Sequence, residues 1–180
     1  MAFPFRRTRG WFTQSMSKAF APVQQQALRD AFTLESGAKS DALPTNATST
    51  FVKDPDLKVT VLAGVLYRVK SVLYITTTAT PGFKIDQAAG TAVASFYTGK
   101  TVFATAAGAS QVVIDVAALN TAQNPAAAAY VRVEHDAVGY FSTGGTLGIE
   151  WAQSVTNATA SSVNAGSYLM VEPLTAIYSR

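Results

Sequence analysis

The chain has a single histidine, His135, which stands between two carboxylates in the run Val-Arg-Val-Glu-His-Asp. A histidine beside Glu134 and Asp136 could act as a general base or as a metal ligand. In a strand, however, successive side chains alternate between faces, so His135 shares a face with Val131 and Val133 while both carboxylates point away. The pattern therefore predicts a structural histidine near a bend in a strand.

No other set of residues has the spacing of a reactive site. Asp54, Asp56 and Asp86 are not spaced like a calcium loop, and the chain has no nucleophile elbow, phosphate loop or dinucleotide fingerprint. There is no cysteine, which excludes disulfides and thiolate metal sites. The paired carboxylates of a glycoside hydrolase cannot be assembled either. We therefore expect a protein that is not an enzyme and that uses no metal or cofactor.

A second group of residues suits binding rather than catalysis, because aromatic and arginine side chains are the preferred anchors of protein interfaces. Residues 1–45 hold six basic and three acidic residues, whereas the remainder holds eight of each, so the formal net charge of +3 belongs to the N-terminal quarter. This charge suits an acidic partner surface but is too small for a nucleic-acid-binding domain. The aromatic residues either fold back onto the chain's own core or dock on another subunit. The candidate partner-binding residues are Phe3, Phe5, Arg6, Arg7, Arg9, Trp11 and Phe12.

The predicted secondary structure changes along the N-terminal quarter, which carries these candidate binding residues. Residues 1–10 have no periodicity and are expected to be extended, whereas apolar residues recur at helical spacing from Phe12 to Val23. Pro22 ends this helix and can begin another over residues 23–34, with Gly37 as its stop. Residues 36–50 have the composition of a linker. The sequence thus predicts an arm and linker with short helices over 1–50 and a body over 51–180.

The body is a series of strand signals separated by Gly, Pro, Asn or Asp. The strands are expected at residues 58–62, 67–75, 83–85, 92–97, 101–104, 111–116, 130–140, 146–152 and 168–171, with a surface loop over 154–162. Strict alternation assigns one face of two strands to the core: Tyr67, Val69, Leu73 and Ile75 in the first, and Leu147, Ile149 and Trp151 in the second. We predict a mainly β protein, an antiparallel jelly-roll-like β-sandwich with an N-terminal extended and helical arm.

The composition agrees with that class. Of 180 residues, 48% are hydrophobic and only 14% are charged, which is typical of a β-rich protein that buries surface against neighbours. No uncharged run is apolar enough for a membrane span. The N-terminus lacks the apolar segment of a signal peptide, so none is expected.

Several motifs resemble a domain of phage virion structural proteins. The residues that carry the resemblance are Gly145-Thr146-Leu147, Trp151-Ala152-Gln153 and Gly166-Ser167-Tyr168-Leu169, together with 56–61, Gly64, 67–69 and 79–84. The resemblance covers residues 51–174 and implies a jelly-roll-like domain of a capsid decoration or cement protein, or of a head or tail appendage.

Two functions follow as expectations. In the first, the protein decorates or cements the exterior of a phage capsid by docking its arm on the major capsid protein, most simply as a homotrimer at threefold positions. In the second, it is a head-fibre or tail appendage protein whose sandwich binds a host surface glycan. Neither expectation involves direct contact with nucleic acid or with a membrane.

Overall fold

The computed structural model describes residues 35–38, 45–106, 111–126 and 128–174, and over this part the protein is all β. The helices predicted between residues 12 and 34 lie outside it. None of the described residues forms a helix that could cross a membrane. The strands are β1 (Glu35–Ala38), β2 (Thr45–Asn46), β3 (Val52–Val61), β4 (Val65–Thr76), β5 (Lys84–Ala89), β6 (Val93–Thr105), β7 (Gln111–Val116), β8 (Tyr130–Thr143), β9 (Gly145–Ala152), β10 (Ser161–Val163) and β11 (Tyr168–Pro173).

The strands pair as one long hairpin that has been rolled up. The antiparallel pairs are nested: β3 with β9, β4 with β8, β5 with an isolated bridge at Gln123, and β6 with β7. Rolling places β4-β8-β6-β7 side by side in the larger sheet and β3-β9-β5 in the smaller one. Nested antiparallel pairs that are divided between two sheets in this way form a jelly roll. The predicted antiparallel sandwich is therefore confirmed.

The core lies between the two sheets. All seven residues assigned to the core by alternation are buried: Tyr67, Val69, Leu73, Ile75, Leu147, Ile149 and Trp151. The ring of Trp151 stacks on Phe83 with centroids 5.7 Å apart. This packing joins β9, the central strand of the smaller sheet, to the residue that precedes β5.

Residues 36–50, which the sequence suggests are linker, instead contribute two strands. β1 pairs with β11 at the edge of the larger sheet, and β2 pairs with β10. Gly37, expected to end a helix, lies in β1 and approaches β3 so closely that a Cβ would come within 2.4 Å of the Asp56 carbonyl oxygen. Only glycine permits this contact, which brings β1 against β3.

Three other expectations differ in detail. The strands predicted at 92–97 and 101–104 are one strand, β6, because Gly99 pairs with Ala137 and does not interrupt the ladder. The loop predicted over 154–162 ends at Ser161, which is buried at the start of β10. Val131 was expected on the inner face, but an irregularity in the pairing of β8 with β6 leaves it outside the register and exposed.

Candidate functional site

His135 is buried between the sheets, 1% exposed, and both of its ring nitrogens have a partner. Its Nε2 lies 2.7 Å from the hydroxyl oxygen of Tyr97, and its Nδ1 lies 2.8 Å from Oγ1 of Thr101. The Thr101 hydroxyl lies 3.3 Å from Oε1 of Gln123 and donates to it. These four residues form a buried polar cluster, and their polar atoms make one continuous chain of hydrogen bonds.

The direction of this chain fixes the protonation of the histidine. Because the Thr101 hydroxyl donates to Gln123, it accepts from Nδ1–H of His135, and Nε2 then accepts from the Tyr97 hydroxyl. Burial lowers the pKa of His135 to about 4, against a smaller opposing effect of Asp136. Burial also raises the pKa of Tyr97 above its ordinary value. The cluster is therefore neutral at pH 7, and its donors and acceptors already serve one another.

Small residues on the inner face of β8 make room for this arrangement. Gly139 lies directly opposite Tyr97, and a Cβ there would come within 2.6 Å of the tyrosine ring. The ring therefore lies along β8, nearly parallel to the His135 ring, with the two planes at 6°. The Tyr97 hydroxyl therefore reaches His135, which lies four positions from Gly139 along β8.

The carboxylates beside His135 point to the opposite face of the sheet, as alternation predicts. Glu134 pairs with Arg132 at 2.6 Å, and Asp136 accepts two hydrogen bonds from Arg68. The bonds from Arg68 lower the pKa of the Asp136 carboxyl. Since neither carboxylate contacts the ring, the triplet in the sequence is not a catalytic or metal-binding unit.

Asp54 and Asp86, which were considered as metal ligands, have separate surroundings in the structure. Asp54 is buried and accepts from the backbone N–H of Asp56, which caps an irregular segment of β3. Asp86 lies on the outer face of the smaller sheet, directly across from Glu150. Burial raises the pKa of Asp86 to about 6, and the Glu150 charge contributes in the same direction. In the described ranges, no three His, Cys, Asp or Glu residues come together as metal ligands.

Exposed apolar side chains gather at one end of the larger sheet. Phe96 is 51% exposed and pairs across the strands with Tyr140, which is 40% exposed. Val93 and Leu174, also about half exposed, lie near them, and the backbone N–H of Leu174 bonds to the carbonyl of Leu66, the neighbour of Tyr140. We call Val93, Phe96, Tyr140 and Leu174 the apolar end. A groove of about 520 Å³ runs from Val93 and Phe96 to residues 117–120.

The predicted partner-binding residues, Phe3 to Phe12, lie outside the described residues. Sequence reasoning did not find the partners of His135 or the apolar end, although one signal was present. The pairs Phe96-Tyr97 and Tyr140-Phe141 each place two aromatic residues side by side in a strand, so one of each pair must face outward. Gln123 lies in a segment without regular strand structure, so alternation could not indicate which way its side chain points.

Comparison with known proteins gives only a weak likeness of structure. No protein-family model matches the chain, and no curated protein matches it. VP2 of infectious bursal disease virus, solved as a subviral particle, aligns with a TM-score of 0.20 at 7% identity, over 80% of this chain and 37% of VP2. The D431N mutant of the same viral protein, in T=1 particles, aligns with a TM-score of 0.22 at 10% identity, over 78% and 38%. The chain thus spans less than two fifths of these viral capsid proteins, and at such TM-scores the likeness carries no information about function.

Proposed function

We propose that this protein is a structural component of a phage virion that decorates or cements the capsid. The observation that carries the proposal is the position of the motif residues. Trp151 and Ala152 end β9, Gln153 follows directly, and Tyr168-Leu169 begins β11, with a polar segment between the two strands that contains only the short β10. This is the strand, loop and strand of the resemblance, set in a jelly roll, a fold that recurs in viral capsid domains.

The proposal includes no catalytic activity. The histidine that could act as a base is neutral, buried and fully engaged by Tyr97 and Thr101. A general base must reach the proton of a bound substrate, and this ring is enclosed on both sides by the sandwich. The polar cluster is suited to holding β6, β8 and the Gln123 segment in register rather than to chemistry.

Attachment to the shell is assigned to the N-terminal arm, residues 1 to about 36, on the capsid exterior, with the major capsid protein as partner. Phe3, Phe5 and Trp11 would fill apolar pockets, and Arg6, Arg7 and Arg9 would pair with carboxylates of the shell. Exposed ion pairs contribute roughly 0–1 kcal/mol each, so the aromatic residues should dominate the affinity. A homotrimer would match the threefold positions of a capsid.

Binding of full-length variants to empty capsids of the same phage that lack this protein tests the attachment. Phe3→Ser combined with Phe5→Ser should weaken binding at least tenfold, whereas Arg6→Gln, Arg7→Gln and Arg9→Gln together should mainly reduce its salt dependence. Val155→Ser is the matched control, since Val155 is an exposed loop residue of the body. If the double phenylalanine variant occupies capsids as fully as the control does, Phe3 and Phe5 do not anchor the protein.

The groove beside Phe96 favours a second function, a head-fibre or tail appendage that binds a host glycan. An aromatic ring that is half exposed offers a face on which a sugar ring can pack, and Ser95 and Asn120 line the same groove. In saturation-transfer NMR with surface polysaccharide of the host, this function requires a signal that Phe96→Ser removes. The absence of any signal from the wild-type protein would eliminate it.

A further inference from the structure

The two sheets end in edge strands, and the chain itself covers most of these edges. The outer edge of β5 exchanges two backbone hydrogen bonds with Gln123 through Ile85, and Gly37 brings β1 against β3. β2 has only two residues. β7 differs, because it pairs with β6 on one side, and within the described ranges no backbone hydrogen bond reaches its other side. Over this part of the chain, β7 therefore presents an open ladder edge.

The sequence of β7 has none of the usual features that protect an exposed edge. Lysine, proline and bulges normally keep such a strand from pairing with another chain. β7 reads Gln-Val-Val-Ile-Asp-Val, and four of its six residues are β-branched. Its pairing with β6 is regular, and its one charged residue, Asp115, lies 4.0 Å from Lys100 of β6. The strand is thus straight, apolar and able to accept a further strand.

We propose that β7 pairs antiparallel with β7 of a second copy about a twofold axis, with Val113 opposite Val113. Residues that face one another across a ladder must point to the same side of the sheet, so outward residues meet outward residues. Gln111, Val113 and Asp115 are exposed on the outer side, whereas Val112 and Ile114 are partly buried and pack against the core. The proposed register respects this division along residues 111–115 of both copies.

The register also places compatible side chains opposite one another. Asp115 faces Gln111 of the second copy, whose amide can donate to the carboxylate, and Val112 faces Ile114. A shift by two residues in one direction would put Asp115 opposite Val113, and the opposite shift would leave only residues 111–113 paired. A larger shift would bring the two Asp115 carboxylates together, which is unfavourable. The strand is therefore complementary to itself in one register.

This self-complementarity favours a second copy over an unrelated strand, because a twofold contact uses the same surface on both partners. The larger sheets of the two copies would join into one sheet that is continuous across the axis. A contact made by one short strand is small, so we expect a weak dimer. The inference goes beyond the proposed attachment to a capsid and does not rest on it, because it concerns the free protein.

Disulfide trapping tests the contact at Val113, since the chain has no cysteine and a single introduced one reports on one position. Side chains directly opposite one another have Cβ atoms about 5 Å apart, within reach of a disulfide after small adjustments. Under mild oxidation at high micromolar concentration, Val113→Cys should therefore form linked dimers roughly ten times faster than a control held together by collision alone. The matched control is Val155→Cys, because Val155 is 59% exposed in a loop and Val113 is 54% exposed. Equal rates for the two variants would overturn the pairing of two copies.

A mixture of two further variants tests the register. Gln111→Cys and Asp115→Cys each lack a cysteine opposite their own, but the two positions face one another when the variants pair. Both residues are exposed, so the fold should be unaffected, and the melting temperature checks this. An equal mixture should give mixed dimers, identified by mass, well in excess of dimers of either variant. Mixed dimers at no more than their random share would overturn the proposed register.

Discussion

His135 shows how a lone titratable residue can serve a fold rather than a reaction. Its two nitrogens hold Tyr97 and Thr101, both on β6, while the ring itself belongs to β8. A buried polar group costs stability unless it is hydrogen-bonded, and a fully satisfied chain fixes one arrangement of the strands. The cluster thus links the two strands and the Gln123 segment of the facing layer.

The lowered pKa of His135 makes stability depend on pH. Its pKa is about 4 in the folded protein and 6.5 in the unfolded chain, so the folded state binds this proton less readily. The contribution of neutral His135 to the free energy of unfolding is therefore complete above pH 6.5 and is lost as pH falls towards 4. Between pH 7.5 and 4.5, urea unfolding should show that the stability of the wild type relative to His135→Gln shrinks by up to about 3 kcal/mol. A constant difference across this range would show that the ring is not held neutral.

Asp86 should produce the opposite dependence in nearly the same pH window. Burial and Glu150 raise its pKa to about 6 from 3.8, so the folded state binds this proton more readily than the unfolded chain. The stabilisation is present below pH 3.8 and is lost as pH rises through 6. Asp86→Asn should therefore have a higher melting temperature than the wild type at pH 7.5 and no advantage near pH 4. An equal or lower melting temperature at pH 7.5 would contradict this account.

The structural role of His135 could be predicted because alternation alone separates it from its flanking carboxylates. Its partners could not, because Tyr97, Thr101 and Gln123 are 12 to 38 positions distant and meet it only through the pairing of strands. The outward direction of Phe96 and Tyr140 was available in principle from the adjacent aromatic pairs.

At the scale of elements, the pairing of β6 with β8 depends on small residues. Gly99 lies opposite Ala137, and Gly139 lies opposite Tyr97. A side chain at either glycine would occupy the space of its neighbour, with contacts of 2.3 Å at Gly99 and 2.6 Å at Gly139. The two glycines therefore act as close-approach positions within strands, where glycine otherwise lowers stability.

Gly139→Ala should displace the Tyr97 ring and break its bond to His135. Overpacking of this kind typically costs about 1–3 kcal/mol, and the His135 ring should then titrate at a higher pH because it loses a partner and some of its burial. Urea unfolding and the NMR titration of the single histidine measure both effects. The control is Gly148→Ala, where the nearest atom would be 3.3 Å from the new Cβ and the histidine is untouched. Equal stability and an equal histidine pKa in the two variants would contradict the assignment.

Strands with a strong local pattern were predictable, and those made by tertiary pairing were not. β4 and β9 alternate strictly and bury the predicted faces. β1, β2 and β10 have two to four residues of low strand propensity and exist because β11, β4 and one another offer hydrogen-bonding edges. For this reason the Ser-, Thr- and Ala-rich stretch over 36–50 resembles a linker in sequence.

At the scale of the whole molecule, the fold class could be predicted but the order of strands could not. Alternation and turn residues indicate a sandwich, since they are local properties. The nested pairs that define the jelly roll join residues as distant as Val52 and Trp151, and no local pattern encodes such contacts. The resemblance to phage virion proteins implied this architecture for residues 51–174, and the described strands agree with it.

The central claim is that this jelly roll is an external part of a phage capsid. Electron cryomicroscopy of the purified particle at subnanometre detail tests it most directly, because a two-sheet body of this size is recognisable in the density. The account predicts such bodies on the outer surface of the capsid, in copies related by capsid symmetry and joined to the shell by a segment preceding β1. Density for this body only on the tail, only inside the shell, or nowhere in the particle would contradict the account.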